Sequence, residues 1–165
     1  MEIKLTNEQY KDLIHLVVTG NCVLGILGDS RKGYKKQSLR CEELENYLAG
    51  YAKDFNWEEL QDFYNGKPVV NEDFWEYIHE EFMDPYDVDT FWNMLQTELG
   101  KRDFKRTMTD EEKKFIEEHN GWLPDRIHDI YKVYEKEFDK NGVENIVIAD
   151  KKMNKLKLVS VKKPK

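Results

Sequence analysis

Residues 6–28, TNEQYKDLIHLVVTGNCVLGILG, decide how the rest of the chain is read. The first four form a capping box, in which the Thr6 hydroxyl accepts from the amide three residues on and Gln9 reaches back to the Thr6 amide. Behind it Tyr10, Leu13, Ile14, Val17, Leu24 and Leu27 fall mostly at helical spacing. Leu16, Val18, Val23 and Ile26 fill the other faces. A helix apolar all round belongs at the centre of a domain. The apolar run from Leu13 to Gly28 is about 16 residues, is interrupted by His15 and Asn21, and is shorter than the roughly 20 a bilayer requires. It reads as a buried core helix, and no membrane role is expected. Gly20, Gly25 and Gly28 each weaken a helix by up to ~1 kcal/mol relative to Ala. They either permit close helix packing or mark a break near Gly20-Asn21.

Outward from this helix the signals remain helical. A basic, Gly-containing link at residues 29–37 leads to a second helix from about Ser38, with Leu44, Tyr47, Leu48, Tyr51, Ala52 and Phe55 on one face. Asn56, with Glu59 three residues on, starts a short helix that Asn65-Gly66 ends in a turn. Asn71 caps a long helix with Phe74, Trp75, Ile78 and Phe82 inward, and Asp84-Pro85 breaks it. Asp89 starts the next, with Phe91, Trp92, Leu95 and Leu99 as its stripe. Thr109 and Glu112 form another capping box, for a helix to about His119, followed by an Asn120-Gly121 turn. Pro124 suits a first helical position. Ile127, Ile130, Tyr131, Tyr134 and Phe138 line the helix that Asn141-Gly142 stops.

After this the pattern changes to two short strands, at 146–149 and 156–161, which residues 1–5 can join as a third. The expectation is a mainly α fold. It is a single globular domain over residues 1–165: a bundle of about five to six helices (1–142), a small C-terminal β-hairpin (143–161) and a basic tail (162–165).

Aromatic residues make up 13% of the 165, enough for a packed interior, and the composition excludes collagen-like and disulfide-rich scaffolds. A net charge of −7 argues against a general nucleic-acid binder. Two cysteines, Cys22 and Cys41, have no metal-like spacing and read as reduced thiols of a cytoplasmic protein, with a single disulfide as the alternative. The N-terminus lacks the basic-then-apolar pattern of a signal peptide.

The charge is unevenly laid out. Residues 54–98 hold thirteen carboxylates against one cation, Lys67, and eleven aromatics lie between Phe55 and Trp92. These carboxylates are either the solvated faces of helices whose aromatic stripes turn inward, or a face that draws a basic partner. Tyr64, Tyr77 and Tyr86 fall off the stripes and are the better contact candidates. Residues 151–165 hold seven lysines. Lys155, Lys157, Lys162, Lys163 and Lys165 can meet nucleic acid or anionic lipid, or keep an edge strand soluble. The basic link Arg31, Lys32, Lys35, Lys36 and Arg40 is a weaker phosphate candidate.

The catalytic constellations are each incomplete. Asp12/His15, Glu76/His79 and Asp125/His128 have the i, i+3 spacing of carboxylate-bridged metal bundles. All three pairs sit on polar faces, so the histidines are expected to point outward and not to converge. The run from His79 to Met83 lacks the second histidine of a metalloprotease helix. Gly20 and Gly25 have phosphate-loop spacing without its Lys-Ser/Thr. Cys41 stands beside Arg40 but also beside Glu42 and Glu43, which disfavour a thiolate.

The expectation is therefore a non-catalytic protein-interaction module without cofactor or metal. It would regulate or inhibit a partner with a basic surface, one that itself handles nucleic acid. The contact residues expected are Glu58, Glu59, Asp62, Tyr64, Glu76, Tyr77, Glu80, Glu81 and Tyr86. The alternatives are a small metal-assisted hydrolase using His15, His79 and His128, or a nucleic-acid or membrane-surface binder using the lysine tail.

Overall fold

In the computed structural model residues 3–147 are described. The chain is mainly helical and divides into two compact units, Met1–Asp89 and Thr90–Lys165.

In the first unit α1 (Asn7–Ser30) runs unbroken through Gly20 and Gly25. Its capping box forms as read, with the Gln9 amide 3.2 Å from Thr6 Oγ1 and the Thr6 amide 3.0 Å from Gln9 Oε1. Its surroundings differ from the expectation. Tyr10, Ile14, Val18, Asn21, Cys22 and Gly28 are buried, whereas Leu16 is 73% and Ile26 57% exposed. The helix is long and apolar enough to cross a membrane, yet only 28% of its most apolar 18-residue window is buried. It is thus a half-covered helix and not an enclosed one.

A 3₁₀ turn (Lys32–Tyr34) joins α1 to α2 (Lys35–Ala49). The buried face of α2 is Ser38, Glu45 and Ala49, with Leu48 packed at its edge, while Leu44, Tyr47 and Tyr51 are exposed. The reason is close approach by small residues. A Cβ on Gly28 would stand 2.5 Å from Ser38 Cβ, so the smallest residues of each helix face each other and the large ones turn outward. Tyr10 anchors the pair: its hydroxyl donates to Leu48 O at 2.6 Å, and its ring stacks on Phe55 at 4.2 Å.

The expected short helix after Asn56 is absent. Asn56 adopts a left-handed conformation (φ 54°) that ends a 3₁₀ turn at Ala52–Phe55. A second turn (Glu58–Leu60) leads into a hairpin of β1 (Gln61–Tyr64) and β2 (Lys67–Val70), antiparallel, pairing Gln61 with Val70 and Tyr64 with Lys67. Asn65 and Gly66 have φ of 52° and 76°. Positive φ at both residues of a two-residue loop is what an Asn-Gly hairpin turn requires, because its twist matches that of the strands.

Asn71 caps α3 (Glu72–Ile78), accepting from the Phe74 amide at 2.8 Å. The helix does not break at Asp84-Pro85. It widens into a π turn (His79–Met83), where the Asp84 amide reaches His79 O, five residues back, and continues as α4 (Asp84–Thr107). The wider turn moves aside the carbonyl that the Pro85 ring would otherwise meet. The extra residue also rotates the helix, so Met83 is buried where Phe82 was expected, and Phe82 is exposed. One core cluster joins Tyr10, Ile14, Val18 and Cys22 to Ala49, Ala52, Leu60, Val70, Ile78 and Met83.

The second unit contains the rest of α4 with α5 (Asp110–Glu118) and α6 (Arg126–Asn141). The α4 stripe is only partly as expected: Trp92, Leu95 and Leu99 are half-buried, but Phe91 is exposed and the enclosed residues are Gly100 and Phe104. Gly100 has no room for a Cβ beside the Tyr131 ring of α6. The Thr109–Glu112 capping box forms, and Glu112 also takes Arg126 in two hydrogen bonds of 2.6 and 2.9 Å. The predicted C-terminal hairpin falls mostly outside the described residues, as does the lysine tail. Residues 146–147, which were to open it, lie in no strand, and residues 3–5 form none either. Among the described residues the small sheet is the mid-chain hairpin.

Candidate functional site

The hairpin and α3 wall an open groove of about 600 Å³ within the first unit. From the hairpin come Asp62, Phe63, Tyr64, Val69 and Val70; from the helix come Glu72, Trp75, Glu76 and His79. The helical residues sit at i, i+3, i+4 and i+7, one continuous face. Asp62, Glu72 and Glu76 are exposed carboxylates, and among the described residues no Lys or Arg lines the groove. Phe63 and Tyr64 are 64% and 70% exposed.

Trp75 is fixed at the inner wall from two sides. Its ring stacks on His79, with centroids 5.4 Å apart. Its indole N–H donates to Glu45 Oε1 at 3.1 Å, and Asn21 Nδ2 donates to Glu45 Oε2 at 2.7 Å. Glu45 is only 4% exposed. Burial raises its carboxyl above the usual range, and the Asn21 and Trp75 hydrogen bonds oppose that rise in part. A polar chain thus runs from α1 through α2 to the groove, and among the described residues no buried side-chain polar atom lacks a partner.

A smaller cavity of about 310 Å³ adjoins it, lined among others by Asn21, Cys22, Ser38, Glu42, Trp75 and His79. Both cysteines are free. Burial, reinforced by the charge of Glu45, pushes the Cys22 thiol up to about 11, so it is protonated at neutral pH and a poor nucleophile.

All nine residues singled out from the sequence are exposed. The groove brings together three of them, Asp62, Tyr64 and Glu76. Glu58 and Glu59 sit on the 3₁₀ turn before β1, Glu80 and Glu81 on the π turn, and Tyr86 in the first turn of α4. Tyr77 turns toward His15 with ring centroids 5.7 Å apart. Sequence reasoning missed Phe63, Glu72, Trp75 and His79 as groove residues. Phe63 becomes visible once Asn65-Gly66 is read as a hairpin turn, and the helical quartet by its spacing. Glu45 gave no signal, because a glutamate that closes the run Glu42-Glu43-Leu44-Glu45 looks solvated like its neighbours.

His15 and His79 depart from the expected outward placement, and His128 keeps it. His15 is half-buried among Phe74, Tyr77, Phe82 and Trp57, at centroid distances of 4.9, 5.7, 6.0 and 6.4 Å. The buried stripe of α1 turns through Ile14, Val18 and Cys22 and carries His15 inward with it. His79 is half-buried against Trp75, and His128 is exposed. Among the described residues no three His, Cys, Asp or Glu side chains are grouped to hold a metal ion.

No protein-family model, curated protein or solved structure matches this chain.

Proposed function

We propose that this protein is a non-catalytic interaction module that takes a basic segment of a partner protein into the groove between the hairpin and α3, and so regulates or inhibits that partner. The observation that carries this reading is the conjunction of exposed Phe63 and Tyr64 with Asp62, Glu72 and Glu76 on a lining that, among the described residues, holds no cation. An arginine or lysine side chain can lie over such rings while its charge meets a carboxylate. The surrounding surplus of thirteen carboxylates over one lysine in residues 54–98 would steer a basic surface in at a salt-dependent rate. Partners that handle nucleic acid carry such surfaces.

The test is fluorescence anisotropy of a labelled arginine-rich peptide at low and moderate salt. Asp62→Lys with Glu76→Lys is expected to abolish binding. Glu58→Lys with Glu59→Lys, outside the groove, is expected to weaken it only slightly. No binding by the wild type, or equal losses in the two pairs, refutes the groove as the site.

A further inference from the structure

A second surface lies on α1, away from the groove. Leu13, Leu16, Gly20, Val23 and Leu27 follow one another at steps of three, four, three and four, the seam of a two-helix coil. Gln9 and Ser30 continue the same steps and close the seam with polar residues. Leu16, Gly20 and Val23 are exposed, and Leu13 and Leu27 are half-buried. A Cβ on Gly20 would meet nothing within 4 Å, so the middle of the seam is open to a close neighbour. At 1.5 Å per residue the 24-residue helix is about 36 Å long.

Lys4 and Lys11 balance the carboxylates at its N-terminal end overall, but the charges that flank the seam differ in sign between the two ends. Glu8 and Asp12 are exposed at the N-terminal end, where Lys11 turns its ammonium over the Trp57 ring at 5.1 Å. Arg31 and Lys32 are exposed at the C-terminal end, where Asp29 is taken by Lys35 at 2.8 Å. An antiparallel copy of the same helix brings Glu8 and Asp12 of each toward Arg31 and Lys32 of the other. A bilayer fits less well. The opposite face of α1 carries Asn21 bound to the Glu45 carboxyl, and Glu8 and Asp12 would meet anionic headgroups. We infer that this seam is the interface of a homodimer, two α1 helices packing antiparallel across Gly20 about a two-fold axis.

Sedimentation velocity of the full chain across micromolar concentrations tests this. The wild type is expected to sediment with the mass of two chains. Leu16→Glu with Val23→Glu is expected to sediment as one, with an unchanged far-UV spectrum because both positions are exposed. Glu8→Lys with Asp12→Lys should weaken the dimer, and adding Arg31→Glu with Lys32→Glu should restore it, which a parallel pair would not do. Failure of that restoration overturns the antiparallel arrangement. A wild-type monomer at every concentration, or a dimer indifferent to the two glutamates, overturns the interface. So does a monomer that instead co-sediments with phosphatidylglycerol-containing vesicles through Leu16 and Val23.

Discussion

Replacing Gly28 with alanine tests the packing on which the groove rests. The new methyl would stand 2.5 Å from Ser38 Cβ and 2.8 Å from Ser38 Oγ, with Lys35 Cα at 3.6 Å. Neither Cβ can rotate away, since each is fixed by its own backbone, so α1 and α2 must separate. Overpacking of this kind costs ~1–3 kcal/mol, and two backbone-fixed carbons place it near the upper end. Against this, alanine improves helix propensity over glycine by up to ~1 kcal/mol. The net expectation is a loss of roughly 2 kcal/mol. Gly25→Ala is the control: it carries the same propensity gain, nothing lies within 4 Å of its Cβ, and it should stabilise. Urea unfolding followed by far-UV circular dichroism gives both values. Adding Ser38→Gly to Gly28→Ala removes the clash and should recover most of the steric loss as a coupling energy. A Gly28→Ala protein as stable as the wild type, or a double variant without coupling, refutes the small-residue contact.

Three further outcomes follow from the titrating and polar groups. Glu45 has a carboxyl raised by burial, so the folded state holds its proton to higher pH than the unfolded one; stability should fall as pH rises from the ordinary glutamate range through the raised folded value, and Glu45→Gln should flatten that part of a pH series of urea midpoints. A midpoint series with the same slope in both proteins contradicts this. Cys22, protonated up to about 11, should resist iodoacetamide at pH 8 in the folded protein while the more exposed Cys41 reacts, with both labelled in urea; equal native rates by mass spectrometry would count against the burial. In the second unit, Arg102 first and then the Tyr134 hydroxyl hold Asp103 down to about 2, so Tyr134→Phe should raise the Asp103 midpoint in an NMR titration, and an unmoved midpoint removes Tyr134 from that network.

Local chemistry was legible where it is settled within one turn. Thr6, Asn71 and Thr109 announce helix starts because a cap closes on amides two or three residues away. Gly142 announces a stop for a similar reason. What the sequence concealed depends on contacts between distant residues. The α2 helix offers Leu44 and Tyr47 as an apolar stripe, and burial goes to Ser38, Glu45 and Ala49 because Gly28 admits only a small neighbour. Asp84-Pro85 reads as a break, and a π turn absorbs the proline, exchanging Met83 for Phe82 in the core. Asn65-Gly66 is a turn in either reading. Only the pairing of Gln61–Tyr64 with Lys67–Val70 makes it a hairpin, and that pairing carries half of the groove. The acidic surplus was visible by counting, and Asp62 and Glu76 were among its contact candidates, but that Glu72 joins them across one groove was not.

The Asn21–Glu45–Trp75 chain sits badly with a stability rationale and well with a positional one. Removing a carboxylate from water costs several kcal/mol, which two donated hydrogen bonds offset only in part, and apolar residues of similar volume often serve a core as well or better. Glu45 nevertheless lies in the last third of α2, on the face that α1 packs against. The indole N–H of a half-buried tryptophan can be satisfied by water, so Glu45 is not required merely to prevent an unpaired donor. It fixes the orientation of the ring. With Glu45 on one side and His79 on the other, Trp75 has little freedom to fold over the groove, and the groove keeps its depth beside the exposed Phe63 and Tyr64. The close approach at Gly28 and Ser38 is the upstream condition, because it holds Asn21 within 2.7 Å of the carboxylate. The packing of two helices by their smallest residues and the shape of a surface groove are thereby one physical arrangement, joined through a single buried carboxyl.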